Sequence, residues 1–164
     1  MMFDVSDQWK RWLEPKVRPL FFLNSRLTRG MTLGVRGLVI NDVGHVLLVE
    51  HTYLEGWWLP GGGVDKGETA EGAVARELRE EAGVRVTGRP TLVSVHSNHA
   101  FFPGDHVLLY RVEAGDWTLG EASSHGEIRA ARFFDPKDLP ENTNPASRRR
   151  LAEVFEGLPS DPLW

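Results

Sequence analysis

Hydrophobic and polar positions change their period several times along the chain, and each change marks an element. Between Met31 and Asn41 the core TLGVRGLVI is apolar and β-rich, and the turn Asn41-Asp42-Val43-Gly44 separates it from a second apolar run, His45 to His51. Two such runs joined by an Asn/Asp/Gly turn predict a hairpin. From Ala70 the period lengthens to that of a helix. Val74, Leu78 and Ala82 form an apolar stripe, Thr69 is suited to cap the N-terminus, Glu71 sits in the first turn, and Gly83 is suited to the left-handed residue after the last turn. The pattern therefore predicts a helix over 70–82 that packs against a sheet.

Beyond it, Arg85 to Thr87 reads as a short strand and Thr91 to Ser97 alternates as TLVSVHS. Pro103-Gly104-Asp105 reads as a turn before another strand at Val107 to Val112, giving a second hairpin with Asn98 to Phe102 near its tip. Gly115 to Gly126 reads as loop and Ile128 to Phe134 as strand. A last helix is expected from about Pro145 to Leu158, with Leu151, Val154 and Phe155 on one side and Arg148 to Arg150 in solvent. Hairpins alternating with two helices give an α/β class.

Composition narrows this only slightly. At 164 residues, 41% hydrophobic and 26% charged, the chain fits one core-bearing domain. We read residues 31–164 as that domain and 1–30 as a basic, aromatic extension, with Trp9, Trp12 and Phe21 among Lys10, Arg11 and Arg18. Such an arm suits an anionic or membrane surface, but its short, proline-interrupted apolar runs favour packing on its own domain or on a second subunit, the latter of which would make a homodimer. A net charge of -4 gives no support to a general nucleic-acid surface, and the absence of cysteine rules out disulfides. Nothing reads as a signal peptide or a membrane span, so cytoplasm is the expected location.

The chemistry concentrates on the first helix. Glu77, Glu80 and Glu81 fall within one sector because residues three and four apart are neighbours on a helix. Their repulsion costs about 0.2–0.5 kcal/mol per close pair in an isolated helix. Arg76 and Arg79 would offset this on an ordinary solvated face; a hard divalent cation would remove it altogether. Oxygen-only ligands suit Mg²⁺, with Mn²⁺ the alternative, and Mg²⁺ commonly joins carboxylates to substrate phosphates.

The loop before the helix decides between these readings. Leu59 to Glu68 carries four glycines between Gly61 and Gly67, which lets backbone come close to a ligand. With the positions that follow, the stretch resembles the signature of the Nudix hydrolases, G-x5-E-x7-R-E-U-x-E-E-x-G-U, where U is a bulky aliphatic. Gly62, Glu68, Arg76, Glu77, Leu78, Glu80, Glu81, Gly83 and Val84 match its nine fixed positions. The resemblance implies a mixed β-sheet sandwiched between helices, and a Mg²⁺-dependent hydrolase that cleaves a diphosphate bond in a nucleoside diphosphate derivative or a nucleoside triphosphate. It assigns Glu77, Glu80 and Glu81 to metal, with the Gly61 carbonyl a further ligand, and makes Glu68 and Arg76 an ion pair that braces loop against helix. For the base it leaves Glu77 and Glu127, with Glu121 competing for the place of Glu127.

Selectivity is less legible. Trp57 and Trp58 suit either base stacking or core packing, and Phe101 and Phe102 suit either a nucleobase contact or, more commonly, an apolar plug. His96, His99 and His106 lack a metal-binding spacing. The proline and tyrosine that the resemblance associates with ADP-ribose and diadenosine polyphosphate enzymes are both missing from His99 to Phe102, with Pro103 just beyond. Two other readings of the same fold are a regulatory module that binds nucleotide without turnover and an isomerase-like branch. The full set of box carboxylates argues against the first; a product assay separates the second.

Overall fold

The structure, a computed structural model, describes residues 30–123 and 126–164. The expectations for the extension before residue 30 lie outside these residues. Thr32–Trp164 forms one compact unit and is described by itself.

The unit is α/β. Eight strands, β1 (Thr32–Val39), β2 (Val46–His51), β3 (Trp57–Trp58), β4 (Val84–Val86), β5 (Thr91–Ser97), β6 (Asp105–Val112), β7 (Trp117–Leu119) and β8 (Ile128–Phe134), accompany helices α1 (Ala70–Ala82) and α2 (Pro145–Glu156). One mixed sheet has the order β1-β6-β5, with β1 parallel to β6 and β6 antiparallel to β5. A second has the order β3-β2-β8, and β4 pairs with β7.

Alternation along β1 and β2 sends side chains into two cores. Val35, Val39, Leu47 and Val49 join Val74 and Leu78 of α1, whereas Leu38, Ile40, Val46 and Leu48 join Leu151 of α2. The strands are thus sandwiched between helices, as expected.

Both caps of α1 form. Thr69 Oγ1 accepts the Gly72 N–H at 3.0 Å, and Gly83 takes φ 68°. That glycine also lets a neighbouring segment in, because a Cβ there would stand 2.3 Å from the Gly120 carbonyl.

Four expectations need correction. β1 and β2 are not a hairpin: the Asn41 turn forms, its side chain accepting from His45 N–H at 2.8 Å, but only Ile40 bridges to Val46 before the strands diverge. Each strand is wanted by a separate sheet, and a local turn carries no information about remote partners. The 115–126 segment holds β7, because Trp117 stacks on Phe133 and its Nε1 donates to the Ile40 carbonyl at 2.9 Å. α2 stops at Glu156, since Gly157 turns left-handed at φ 69°, and Phe155 is left exposed. Arg150, expected in solvent with its neighbours, is fully buried beneath the C-terminal tail. The second hairpin forms as expected, β5 to β6, closed by Asn98 N–H to the Asp105 carbonyl at 2.9 Å.

Candidate active site

The glycine loop is fastened along the free side of β1. Gly37 N–H donates to the Pro60 carbonyl and Val35 N–H to the Gly62 carbonyl, both at 2.8 Å, while Val64 N–H returns a bond to Leu33 at 2.9 Å. This lays the loop against α1, whose acidic face meets it. Glycine is required at two points. Gly61 has φ 143° with backbone so close that a Cβ would stand 2.1 Å from the Val35 carbonyl, and a Cβ on Gly62 would lie 2.4 Å from Glu77 Oε1.

Arg76 ties the loop to the helix. Its Nε donates to Glu68 Oε1 at 2.9 Å and its Nη2 to Glu68 Oε2 at 3.0 Å and to the Gly63 carbonyl at 2.9 Å. The expected brace is therefore present. Nη1 also donates to Glu77 Oε1 at 2.7 Å and stands 3.5 Å from Glu80 Oε2. The hydrogen bond from Arg76 holds the Glu68 carboxyl below its ordinary range, and the same bond holds the Arg76 guanidinium above its own.

Two carboxylates of the acidic face resist ionisation. Burial pushes Glu77 up against the opposing pull of Arg76. Glu81 is pushed up to about 7, by burial first, with the negative charges of Glu77 and Glu127 adding; Arg36 and the Gly61 N–H, which donates to Glu81 Oε2 at 2.8 Å, pull the other way. The charge of Glu127 thus reaches Glu81. Glu127 is itself exposed, and its carbonyl accepts the Thr52 N–H at 2.9 Å. Glu121, its competitor, is exposed beside the backbone of Gly83.

The structure thus gathers Gly61, Glu68, Arg76, Glu77, Glu80 and Glu81, and the charge of Glu127 acts on Glu81. It does not bring Trp57 to them. That ring is 9% exposed in the core under α2, edge-on to Phe134 at 4.7 Å. Trp58 is half-buried, its Nε1 donating to the Glu55 carbonyl at 3.0 Å. Phe101 is 73% exposed at the β5–β6 turn, which corrects the apolar-plug reading for it. His96 is structural: Nδ1 meets the Asp161 carbonyl and Nε2 the Ser94 hydroxyl, each at 2.6 Å.

Two residues escaped the sequence reading. Arg36, on β1, donates to the Gly61 carbonyl, and its charge acts on Glu77 and Glu81. Its signal was available, as a lone charge within the apolar run TLGVRGLVI. His51, at the end of β2, is buried with Nδ1 lacking a partner among the described residues; burial first, then Arg36, lowers it to about 4. Nothing in the sequence separated it from the other histidines.

A divalent ion fits the donor set. The face offers carboxylate oxygens without sulfur, and two of its members, Glu77 and Glu81, are half-buried where negative charge needs compensation. Among the described residues no three acidic or histidine side chains converge as a ready cage. Water and substrate would therefore complete the coordination, as Mg²⁺ tolerates.

The model of the NUDIX domain matches residues 30–155. The chain belongs to the NUDIX hydrolase family. This NUDIX chain is 31% identical over 127 residues to a Bacillus subtilis (strain 168) protein described as a candidate 8-oxo-dGTP diphosphatase, covering 77% of the chain and 81% of that protein. It is 31% identical over 134 residues to an ADP-ribose pyrophosphatase of Methanocaldococcus jannaschii, covering 80% and 78%. Among solved structures, a MutT NUDIX hydrolase from Burkholderia pseudomallei superposes with TM-score 0.61 at 30% identity, covering 76% of this chain and 98% of that one. Among the described residues no helix is long and apolar enough to cross a membrane.

Proposed function

We propose that this NUDIX hydrolase is Mg²⁺-dependent and cleaves a diphosphate bond in a nucleoside diphosphate derivative or a nucleoside triphosphate. The observation that carries the reading is the intact acidic face. Glu77, Glu80 and Glu81 stand beside a loop whose Gly61 N–H is held by Glu81.

Glu77, Glu80, Glu81 and the Gly61 carbonyl would hold the ion, which when bound offsets phosphate charge and lowers the pKa of water. The residues do the rest. Arg76 keeps Glu77 aimed along the loop through its bond to Oε1, and Glu68 keeps Arg76 in place through two bonds. Glu127 is our choice of general base. It is exposed to water and its charge acts on Glu81, whereas Glu77 is already engaged by Arg76. Glu127→Gln is expected to lower kcat by about 10²- to 10³-fold, within the range for a lost general base, while Glu121→Gln stays within about twofold of the parent. Steady-state rates of the two variants check this, and the reverse order would transfer the role to Glu121.

The two relatives differ in named substrate at the same identity, so the substrate class is a matter for assay. The full chain should be screened with Mg²⁺ against nucleoside triphosphates, ADP-ribose, nucleotide sugars, dinucleoside polyphosphates and capped-RNA fragments, beside a Glu80→Gln/Glu81→Gln variant. Hydrolysis of one class, lost in the variant, is the expected result. Nucleotide binding without any turnover would replace the enzyme reading with that of a regulatory module.

A further inference from the structure

Gly61 is held on both sides. Its N–H donates to Glu81 Oε2 at 2.8 Å and its carbonyl accepts from Arg36 Nη1. The carbonyls on either side, of Pro60 and Gly62, are taken by β1 backbone. Gly61 is thus fixed in a conformation open only to glycine, φ 143°, with its carbonyl presented to the guanidinium. That carbonyl is the backbone oxygen assigned above to the metal. Arg36 also lies within the fields of Glu77 and Glu81. A positive group therefore occupies the surroundings a divalent cation would need.

We propose that Arg36 is a positioning residue that stands in for the divalent ion: its guanidinium competes with a free cation for the Gly61 carbonyl and for the field of Glu77 and Glu81, and gives way when a phosphate arrives to receive it. The proposal rests on the metal site described under Proposed function. Its physical content is a sign. An arginine that only braced the loop would support metal binding, so losing it would weaken binding or leave it unchanged. A competing charge acts oppositely. Removing one positive charge several ångströms from a doubly charged ion, in a water-rich setting, should tighten ion binding by about three- to tenfold. A phosphate matches the planar donors of a guanidinium, so metal and phosphate should each strengthen the other's binding, and part of that coupling should pass through Arg36.

Mn²⁺ alone is the first probe, titrated into the full chain and followed by the electron paramagnetic resonance signal of the free ion. Arg36→Met is expected to bind Mn²⁺ about three- to tenfold more tightly than the parent, and Arg36→Lys, which keeps the charge, to stay within about twofold of it. Repeating the titration with α,β-methylene-ADP should tighten Mn²⁺ binding more in the parent than in Arg36→Met. Equal or weaker Mn²⁺ binding by a folded Arg36→Met protein would overturn the proposal, as would Arg36→Lys binding as tightly as Arg36→Met. Should Arg36→Met not fold, Arg36→Gln gives the same readout. A parent that binds no Mn²⁺ would instead remove the metal site itself, so the two failures are distinguishable.

Discussion

Glu81→Gln is expected to lose roughly 10²- to 10³-fold in turnover, on the scale of a lost metal interaction, while the metal-free protein becomes more stable. The two effects share one cause. Burial pushes Glu81 up to about 7 from an ordinary 4.5, so the fold prefers the neutral acid. The sign then follows from linkage. A carboxyl with a raised folded-state pKa leaves stability intact below about 4.5, and stability is lost as pH rises from there through 7. Glutamine cannot ionise, and its amide oxygen can still accept the Gly61 N–H. In chelator, the variant should melt with the parent near pH 4.5 and above it at pH 8.5, by about 2 kcal/mol or 4–8 °C. Mg²⁺ should raise the melting temperature of the parent at pH 8.5 and scarcely move the variant. A variant that melts below the parent at pH 8.5 would make Glu81 an ordinary stabilising partner. Full activity would remove it from the metal site.

Which parts of the site were legible depends on how local their determinants are. The caps of α1 are set by side chains within a few residues of the bonds they make, Thr69 to Gly72 and Gly83 to Arg79, so helix ends and acidic face could be read directly. The Glu68–Arg76 pair was legible for a different reason, since the family pattern fixes both at one spacing. What failed was non-local. The Asn41 turn was correct, yet the partners of β1 and β2 lie at Asp105–Val112 and Ile128–Phe134, and pairing at that separation leaves no mark in either strand. Trp57 and Trp58 look alike in sequence, but alternation sends Trp57 into the core beneath α2 and leaves Trp58 at the other. β7 is three residues long, too short to show a period. Arg36 was visible but unread, because a charge in an edge strand usually needs no functional account.

Arg150 is the largest of these misreadings, and it leads to the largest stability effect expected here. Consecutive arginines at 148–150 on a helix look solvated, but only side chains facing away from the fold stay so. Arg150 faces inward, and the tail beyond α2 returns over it. Nη1 donates to the Leu163 carbonyl at 2.9 Å, Nη2 to Glu153 Oε1 at 2.6 Å, and the guanidinium lies 5.7 Å from the centre of the Trp164 ring. Glu153 in turn accepts the Asp161 N–H at 2.9 Å, while Ser97 of edge strand β5 exchanges backbone bonds with Pro162 and Trp164. The buried charge therefore organises a strap along an otherwise open sheet edge. Arg150→Ala removes the donor and strands the Glu153 carboxylate, whose side chain is only 11% exposed. Breaking such a pair costs roughly 3–5 kcal/mol, or about 6–20 °C in Tm at this chain length. Arg150→Ala/Glu153→Ala should be no worse than the single variant, because the second change removes the stranded charge. Hydrogen exchange should show the Trp164 amide losing protection in both, while kcat at 20 °C stays within about threefold of the parent, the strap lying outside the acidic face. A fall in Tm below about 2 °C would mean that tail and guanidinium contribute little, and that the fold tolerates a buried arginine without depending on it.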